Sequence, residues 1–289
     1  MVCLPDARSW GLSTAVDAVD EGNALNLIEK TLGMIVERKS DSAILSIFPY
    51  KGDPRIAGLL LEALGAQGLE LEALANSPAA ISAVLKREHL SQATKALFVP
   101  FSFGAYRTPN DWKLAQKGRE TLYKEVVASY QEKRPKVYGL KYREGQELLR
   151  IGFKDKDISQ IGRLLINCGG PGAYLSFIAT CPRKAKGCTE LAICLSRPSN
   201  GRNLGRISPA LLTESRFPVT TFSMTGPHFG DRYGIASELL SALEKHGIEL
   251  MGLTCSVASI KGVVSSDQTS ETIKAIQSCF EVPALIKRE

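Results

Sequence analysis

Residues 56–101 can be laid on residues 235–280 without a gap, a shift of 179 positions that pairs identical residues along its whole length. Ile56-Ala57 meets Ile235-Ala236, Leu60-Leu61 meets Leu239-Leu240, Gly68 meets Gly247, and Glu70-Leu71 meets Glu249-Leu250. Further on, Ser77, Ile81, Val84, Ser91, Lys95-Ala96 and Phe101 fall on Ser256, Ile260, Val263, Ser270, Lys274-Ala275 and Phe280. Self-similarity at a fixed shift marks a chain built from one supersecondary unit used repeatedly. A shift of 104 ties the same stretch to the middle of the chain: Leu45, Ile47, Asp53, Gly58, Leu60-Leu61, Gly65, Gly68 and Leu71 fall on Leu149, Ile151, Asp157, Gly162, Leu164-Leu165, Gly169, Gly172 and Leu175. Three copies follow, the middle one degenerate.

The third copy reads most clearly. Val219–Met224 is rich in β-branched and apolar residues and ends at Thr225-Gly-Pro227, a strand followed by a breaker. Ile235, Leu239, Leu240 and Leu243 fall on one face of a helix that Gly247 stops. Ile248–Leu253 and Ala258–Val264 are two more strands, and Ser270 caps a last helix through Phe280. The first copy has strands at Met34–Glu37 and Ala43–Phe48 and a helix from Pro54 through Leu64. The middle copy has strands at Tyr138–Lys141, Ala173–Thr180 and Leu191–Leu195 and a short last helix at Ile207–Leu212. Asn23–Leu32 forms an amphipathic helix ahead of the copies. A charged helix from Trp112 to Arg134, striped by Leu114, Leu122, Val126 and Tyr130, connects the first two and stops at Pro135.

Asp231-Arg-Tyr-Gly-Ile-Ala236, Leu243–Leu250 and Ser256–Val264 resemble the ACT domain, specifically the regulatory part of aspartokinases. Members of that family commonly read Asp-x-Pro-Gly-Val-Ala at the first of these; Tyr233 here replaces the proline. The resemblance implies an α+β fold of repeated ferredoxin-like βαββαβ units, each an antiparallel sheet with helices on one face. Its boundaries are 1–103 for an extension plus the first unit (core 34–103), 104–137 for the connector, 138–216 for the middle unit and 217–289 for the last. It also implies a non-catalytic regulatory or amino-acid-sensing protein that modulates a biosynthetic enzyme such as aspartokinase. Lysine, threonine and methionine lead as effectors. A homodimer is expected, because side-by-side pairing covers open edge strands. No kinase domain is expected, since fewer than about fifty residues precede the first unit.

The resemblance places effector binding in the loop that joins strand to helix in the last unit, at Met224, Gly226, His228, Gly230, Asp231, Arg232, Tyr233, Gly234 and Ile235. Free N–H groups at a helix start attract a ligand carboxylate; Asp231 would hold its ammonium, with Arg232 or His228 adding selectivity. The competing reading is a tight turn with Asp231 as helix cap. In the first unit the loop Pro49–Ala57 carries Asp53 and Arg55, but Arg55 replaces the family glycine and Gly52 the family acid, which favours a structural role. The middle loop, Lys154–Ser159, keeps neither proline nor glycine. Asn76 and Ser77 follow the second strand, where the family contributes a polar contact and a plain turn competes.

Other chemistry finds little footing. A net charge of +6 over 289 residues is too mild to imply nucleic acid by itself. An RNA-binding alternative on the same strand order lacks stacking aromatics, with Phe48 and Phe177 isolated, and rests only on the basic runs Lys133–Lys136 and Arg183–Lys186. Cys181 and Cys188 lack the second ligand pair zinc needs, and Gly169-Gly-Pro-Gly172 follows a helix where a phosphate loop would precede one. No metal or cofactor is expected. An odd count of seven scattered cysteines and no membrane-length apolar run point to the cytoplasm.

Overall fold

The computed structural model describes the chain except residues 7–8, 34–35, 40, 107, 112–133, 184–187, 197–211, 227–228, 230–233, 257, 284–285 and 289. The chain opens with a hairpin, β1 (Val2–Asp6) and β2 (Ser9–Ser13), and a helix, α1 (Glu21–Leu32). The first unit is β3 (Ser42–Ile47), α2 (Pro54–Ala66), β4 (Ala73–Asn76), β5 (Ile81–Lys86) and α3 (Leu90–Leu97). The middle stretch supplies β6 (Gly139–Phe153), α4 (Ile158–Cys168), β7 (Leu175–Arg183), β8 (Cys188–Ser196) and β9 (Leu212–Thr225). Then come α5 (Ile235–Lys245), β10 (Leu250–Cys255), β11 (Ser259–Ser265), α6 (Thr269–Cys279) and β12 (Lys287–Arg288). The fold is α+β, and the twelve strands among the described residues form one sheet in the order β2-β1-β10-β11-β9-β6-β8-β7-β4-β5-β3, with β12 added alongside β6.

The shift of 179 is visible atom by atom. Gly68 and Gly247 end their helices with φ of 65° and 64°, the left-handed backbone that glycine adopts at least cost. Just beyond, Leu69 N donates to Leu64 O and Ile248 N to Leu243 O. Ser77 N donates to Ala80 O at 2.8 Å and Ser256 N to Ser259 O at 2.8 Å, so the two serines make one and the same turn. Short 3₁₀ turns at Arg87–His89 and Ser266–Gln268 again stand 179 apart.

The shift of 104 is an approximate two-fold axis between the first and middle units. Gly58 of α2 lies against Gly162 of α4, its own counterpart; a Cβ on Gly58 would stand 2.6 Å from Gly162 O, and one on Gly162 would stand 2.7 Å from Gly58 O. On the sheet below, β4 meets β7 at Ala75 and Ala179, again counterparts. Beside that pair, Leu74 N donates to Thr180 Oγ1 at 2.8 Å and Ile178 N donates to Asn76 Oδ1 at 3.0 Å. Two side chains thus finish a ladder that the backbones, diverging from the axis, leave incomplete.

The middle and last units are joined differently. Gly139–Arg143 of β6 pairs with Thr221–Thr225 of β9, while Gln146–Gly152 pairs with Leu212–Val219. Each long strand therefore begins in one unit and ends in the other. The middle unit reads β7-β8-β6-β9 across its sheet and the last reads β10-β11-β9-β6, so each receives its fourth strand from the other. Between the halves of β6 lies a bulge from Arg143 to Gln146, where Gly145 takes φ of 67°. β9 runs unbroken through residue 217, where the sequence places a unit boundary. Of the strand expected at Met34–Glu37, residues 34–35 lie outside the described residues and Val36 and Glu37 belong to no strand; the sheet in the first unit starts at β3. The connector helix and the helix at Ile207–Leu212 lie outside the described residues, apart from their flanks.

Among the described residues three apolar cores result. One lies beneath the helices of the first and middle units, around Leu60, Leu64, Leu74, Ile81, Leu149, Ile151, Leu165 and Ile178. A second lies beneath α5 and α6, around Met224, Leu239, Leu253, Ile276 and Phe280. In the third, the helix-free faces of the middle and last units pack on each other and on β1, through Leu4, Leu148, Phe177, Ala179, Cys194, Val219 and Val263. Alternation along the strands makes this possible: Leu148 and Leu149, Phe177 and Ile178, and Val263 and Val264 each point to opposite cores.

Candidate functional site

The loop between β9 and α5 is anchored at both ends. Met224 is fully buried in the second core and Ile235, the first helical residue, is 4% exposed. Gly226 N donates to Ala258 O at 3.4 Å, and a Cβ at Gly226 would stand 2.6 Å from Lys136 O, so backbone passes backbone closely there. Phe229 packs on Phe280 with ring centroids 6.4 Å apart. Gly234 takes φ of 89° and starts the helix, and among the described residues no side chain caps it. His228, Gly230, Asp231, Arg232 and Tyr233 lie outside the described residues.

The matching loop of the first unit is closed by its own residues. Asp53 caps α2, accepting from Arg55 N at 2.9 Å, and Arg55 folds back so that its guanidinium donates to the same carboxylate, Nη2 to Oδ2 at 2.9 Å. Desolvation works against ionisation of Asp53, but the hydrogen bonds and charge of Arg55 outweigh it and hold the carboxyl below its ordinary value. Tyr50 turns inward, fully buried, its hydroxyl 3.4 Å from Leu175 O, and burial pushes its phenol well up. Leu175 N donates to Gly52 O at 2.7 Å, and the ring of Tyr174 fills the space a Cβ at Gly52 would need. Arg143 stacks on the same ring, its guanidinium carbon 3.9 Å from the centroid.

Across the two-fold axis the counterpart of Tyr50 is Lys154, which is exposed. Phe153, the residue before it, helps line a narrow crevice with Leu61, Leu71, Leu74, Ile158, Ile161, Thr180 and Leu191, with no room for a water. Asp157 closes this loop by accepting from Lys154 N at 3.2 Å. Ser77 makes the turn described above, its hydroxyl also accepting from Ala80 N at 3.0 Å. Asn76 is 4% exposed and directs its amide into the unit interface, donating to Ser176 O and accepting from Ile178 N.

Asn76 thereby belongs to a polar junction that the sequence pattern does not reveal. Lys261, 5% exposed, donates to Ser176 O at 2.7 Å. Ser176 in turn donates toward Gln146 Oε1 at 3.0 Å and Cys194 O at 3.1 Å, and Thr254 Oγ1 donates to Asn76 O at 3.2 Å. The first, middle and last units meet at these residues. The one available signal was a lone lysine inside the apolar run Ser259–Val264. Among the described residues no cluster has the composition of a metal site, and no helix is long and apolar enough to cross a membrane.

No protein-family model matches the chain, and no curated protein matches it by sequence. Among solved structures, the regulatory subunit of aspartate kinase from Thermus thermophilus aligns with 50% of the chain and 99% of its own, at 14% identity and a TM-score of 0.43. The aspartate kinase from Synechocystis aligns with 89% of the chain at a TM-score of 0.65 and 18% identity. The chain spans 44% of that kinase's length, and at this identity what the two share is a fold.

Proposed function

We propose that this is a non-catalytic regulatory protein of repeated ACT units, which senses a small amino acid at the loop between β9 and α5 and relays that state to an amino-acid biosynthetic enzyme such as aspartokinase. The contrast among the three loops carries this reading. In the first unit Asp53 and Arg55 satisfy each other, and in the middle unit Asp157 satisfies its own backbone. In the last unit the helix starts at Gly234, which has no side chain of its own to cap it, and the loop is rooted in core at both ends. Such a helix end offers partial positive charge to a ligand carboxylate. Asp231 is the residue we assign to the ligand's ammonium, with His228 and Arg232 toward its side chain. Likeness of fold to an aspartate kinase makes lysine, threonine and methionine the first ligands to try.

The nucleic-acid alternative needs helix-free sheet faces open for stacking. In the middle and last units those faces are buried against each other, with Phe177 fully inside. A thermal-shift screen of the amino acids tests the proposal. A ligand at about a hundred times its Kd stabilises by about 2.7 kcal/mol. Asp231→Ala should remove that shift and leave the ligand-free melting temperature unchanged; no shift with any amino acid rejects the reading.

A further inference from the structure

The middle and last units each have four strands because each receives one from the other. The corresponding place in the first unit is the free side of β3, where the sheet ends; among the described residues no strand stands there. The usual protections of an edge are missing from this strand. Ser42–Ile47 has no charge and no proline, and its register with β5 runs over all six residues without a bulge. Ile44 is 58% exposed, and Phe48 just beyond the strand is 70% exposed. The edges at β4 and β10 are already used inside the chain: β4 pairs β7, and β10 pairs β1.

We propose that the free side of β3 is where a second copy of this chain docks, β3 against β3 about a two-fold axis normal to the sheet. An uncharged strand meets no like-charge repulsion from its own copy, and that copy presents an equal row of open N–H and C=O groups. Isologous pairing also closes the assembly, whereas pairing β3 with the edge strand β2 would repeat head to tail into a filament. An axis normal to the sheet keeps both helix layers on one side, so residues opposite each other must share a face. Ile44 opposite Ile44 of the second copy meets this condition, and it sets Ala43 opposite Leu45 beneath the helices. Each first unit then gains a fourth strand beside the three described. The interaction requires no effector, so it stands or falls separately from the sensing loop.

Sedimentation velocity on the full chain without added amino acid, over a micromolar range, should give a dimer. Ile44→Lys should give a folded monomer whose melting temperature no longer depends on protein concentration, while Leu12→Lys on β2 should remain dimeric. Ile44→Cys should cross-link to a covalent dimer under mild oxidation, because Cβ atoms opposite each other across an antiparallel pair lie within disulfide reach; the wild type, with its seven native cysteines, should not. If Ile44→Lys fails to fold, the cross-link alone decides. A monomeric wild type, a dimer that survives Ile44→Lys, or Ile44→Cys that does not cross-link overturns the proposal.

Discussion

Gly162→Ala tests whether the close crossing of α2 and α4 holds the first and middle units together. A Cβ at 162 would stand 2.5 Å from Glu62 N and 2.7 Å from Gly58 O. Both are backbone atoms, so no rotamer change relieves the contact, and the helices must part by roughly 1 Å to restore a carbon contact of about 3.5–4.0 Å. In a free helix the same substitution would stabilise by about 1 kcal/mol, from lower backbone entropy in the unfolded chain. Over-packing of a tight contact costs about 1–3 kcal/mol. The second effect should win, for a net loss of up to about 2 kcal/mol, with the β4–β7 contact on the same axis loosened as well. Urea unfolding followed by circular dichroism measures it, fitted for separate transitions because a chain of several units need not unfold in one step. Gly22→Ala in α1, where a Cβ would meet nothing within 4 Å, is the control and should cost nothing. Gly58→Ala combined with Gly162→Ala should lose less than the sum, since helices already parted accommodate the second methyl. A gain in stability for Gly162→Ala would refute the reasoning.

Asn76→Ala should cost about 1–3 kcal/mol, because it strips the acceptor from the buried Ile178 N–H; hydrogen exchange at that amide should accelerate with it. The lowered pKa of Asp53 means its contribution is complete above the ordinary aspartate value of about 3.9 and is lost as pH falls through the lower folded value. Asp53→Asn, which keeps a cap acceptor but does not titrate, should therefore flatten the acid limb of a melting-temperature profile. Burial pushes the thiols of Cys3, Cys255 and Cys279 up to about 11. Alkylation of all three by iodoacetamide at neutral pH should accordingly be slow in the native protein and become rapid in denaturant, as followed by mass spectrometry.

Repeats were legible because each copy must solve the same local problem. Gly68 and Gly247 stop a helix, and Ser77 and Ser256 close a turn, so selection on backbone geometry leaves matching letters. The two-fold axis was not legible: the shift of 104 lays Gly58 on Gly162, but nothing in the letters says that the two touch. Partnership between strands was not legible. Alternation in Leu148-Leu149 or Val263-Val264 reports that both faces are buried, not what buries them. The resemblance sets a boundary at residues 216 and 217, and both lie inside a strand, β9, that pairs in two units. The candidate loop was found through a resemblance in its letters, while the buried junction around Lys261 and Ser176 left almost none. Its polar groups come from strands far apart in sequence and are brought together only when the sheet folds back on itself.

The exchange of halves between β6 and β9 also determines how force and displacement travel. Two covalent crossings, each flanked by ladder bonds on both sides, leave no hinge at which the middle and last units could swing apart. Neither could be excised as a self-sufficient fragment, because each would leave behind a strand of its own sheet. Any tilt imposed at α5 must therefore move both units as a stiff body, with the bulge at Arg143–Gln146 as its softest point. Motion would then be delivered to the first unit through the close crossing of α4 and α2 at their two glycines.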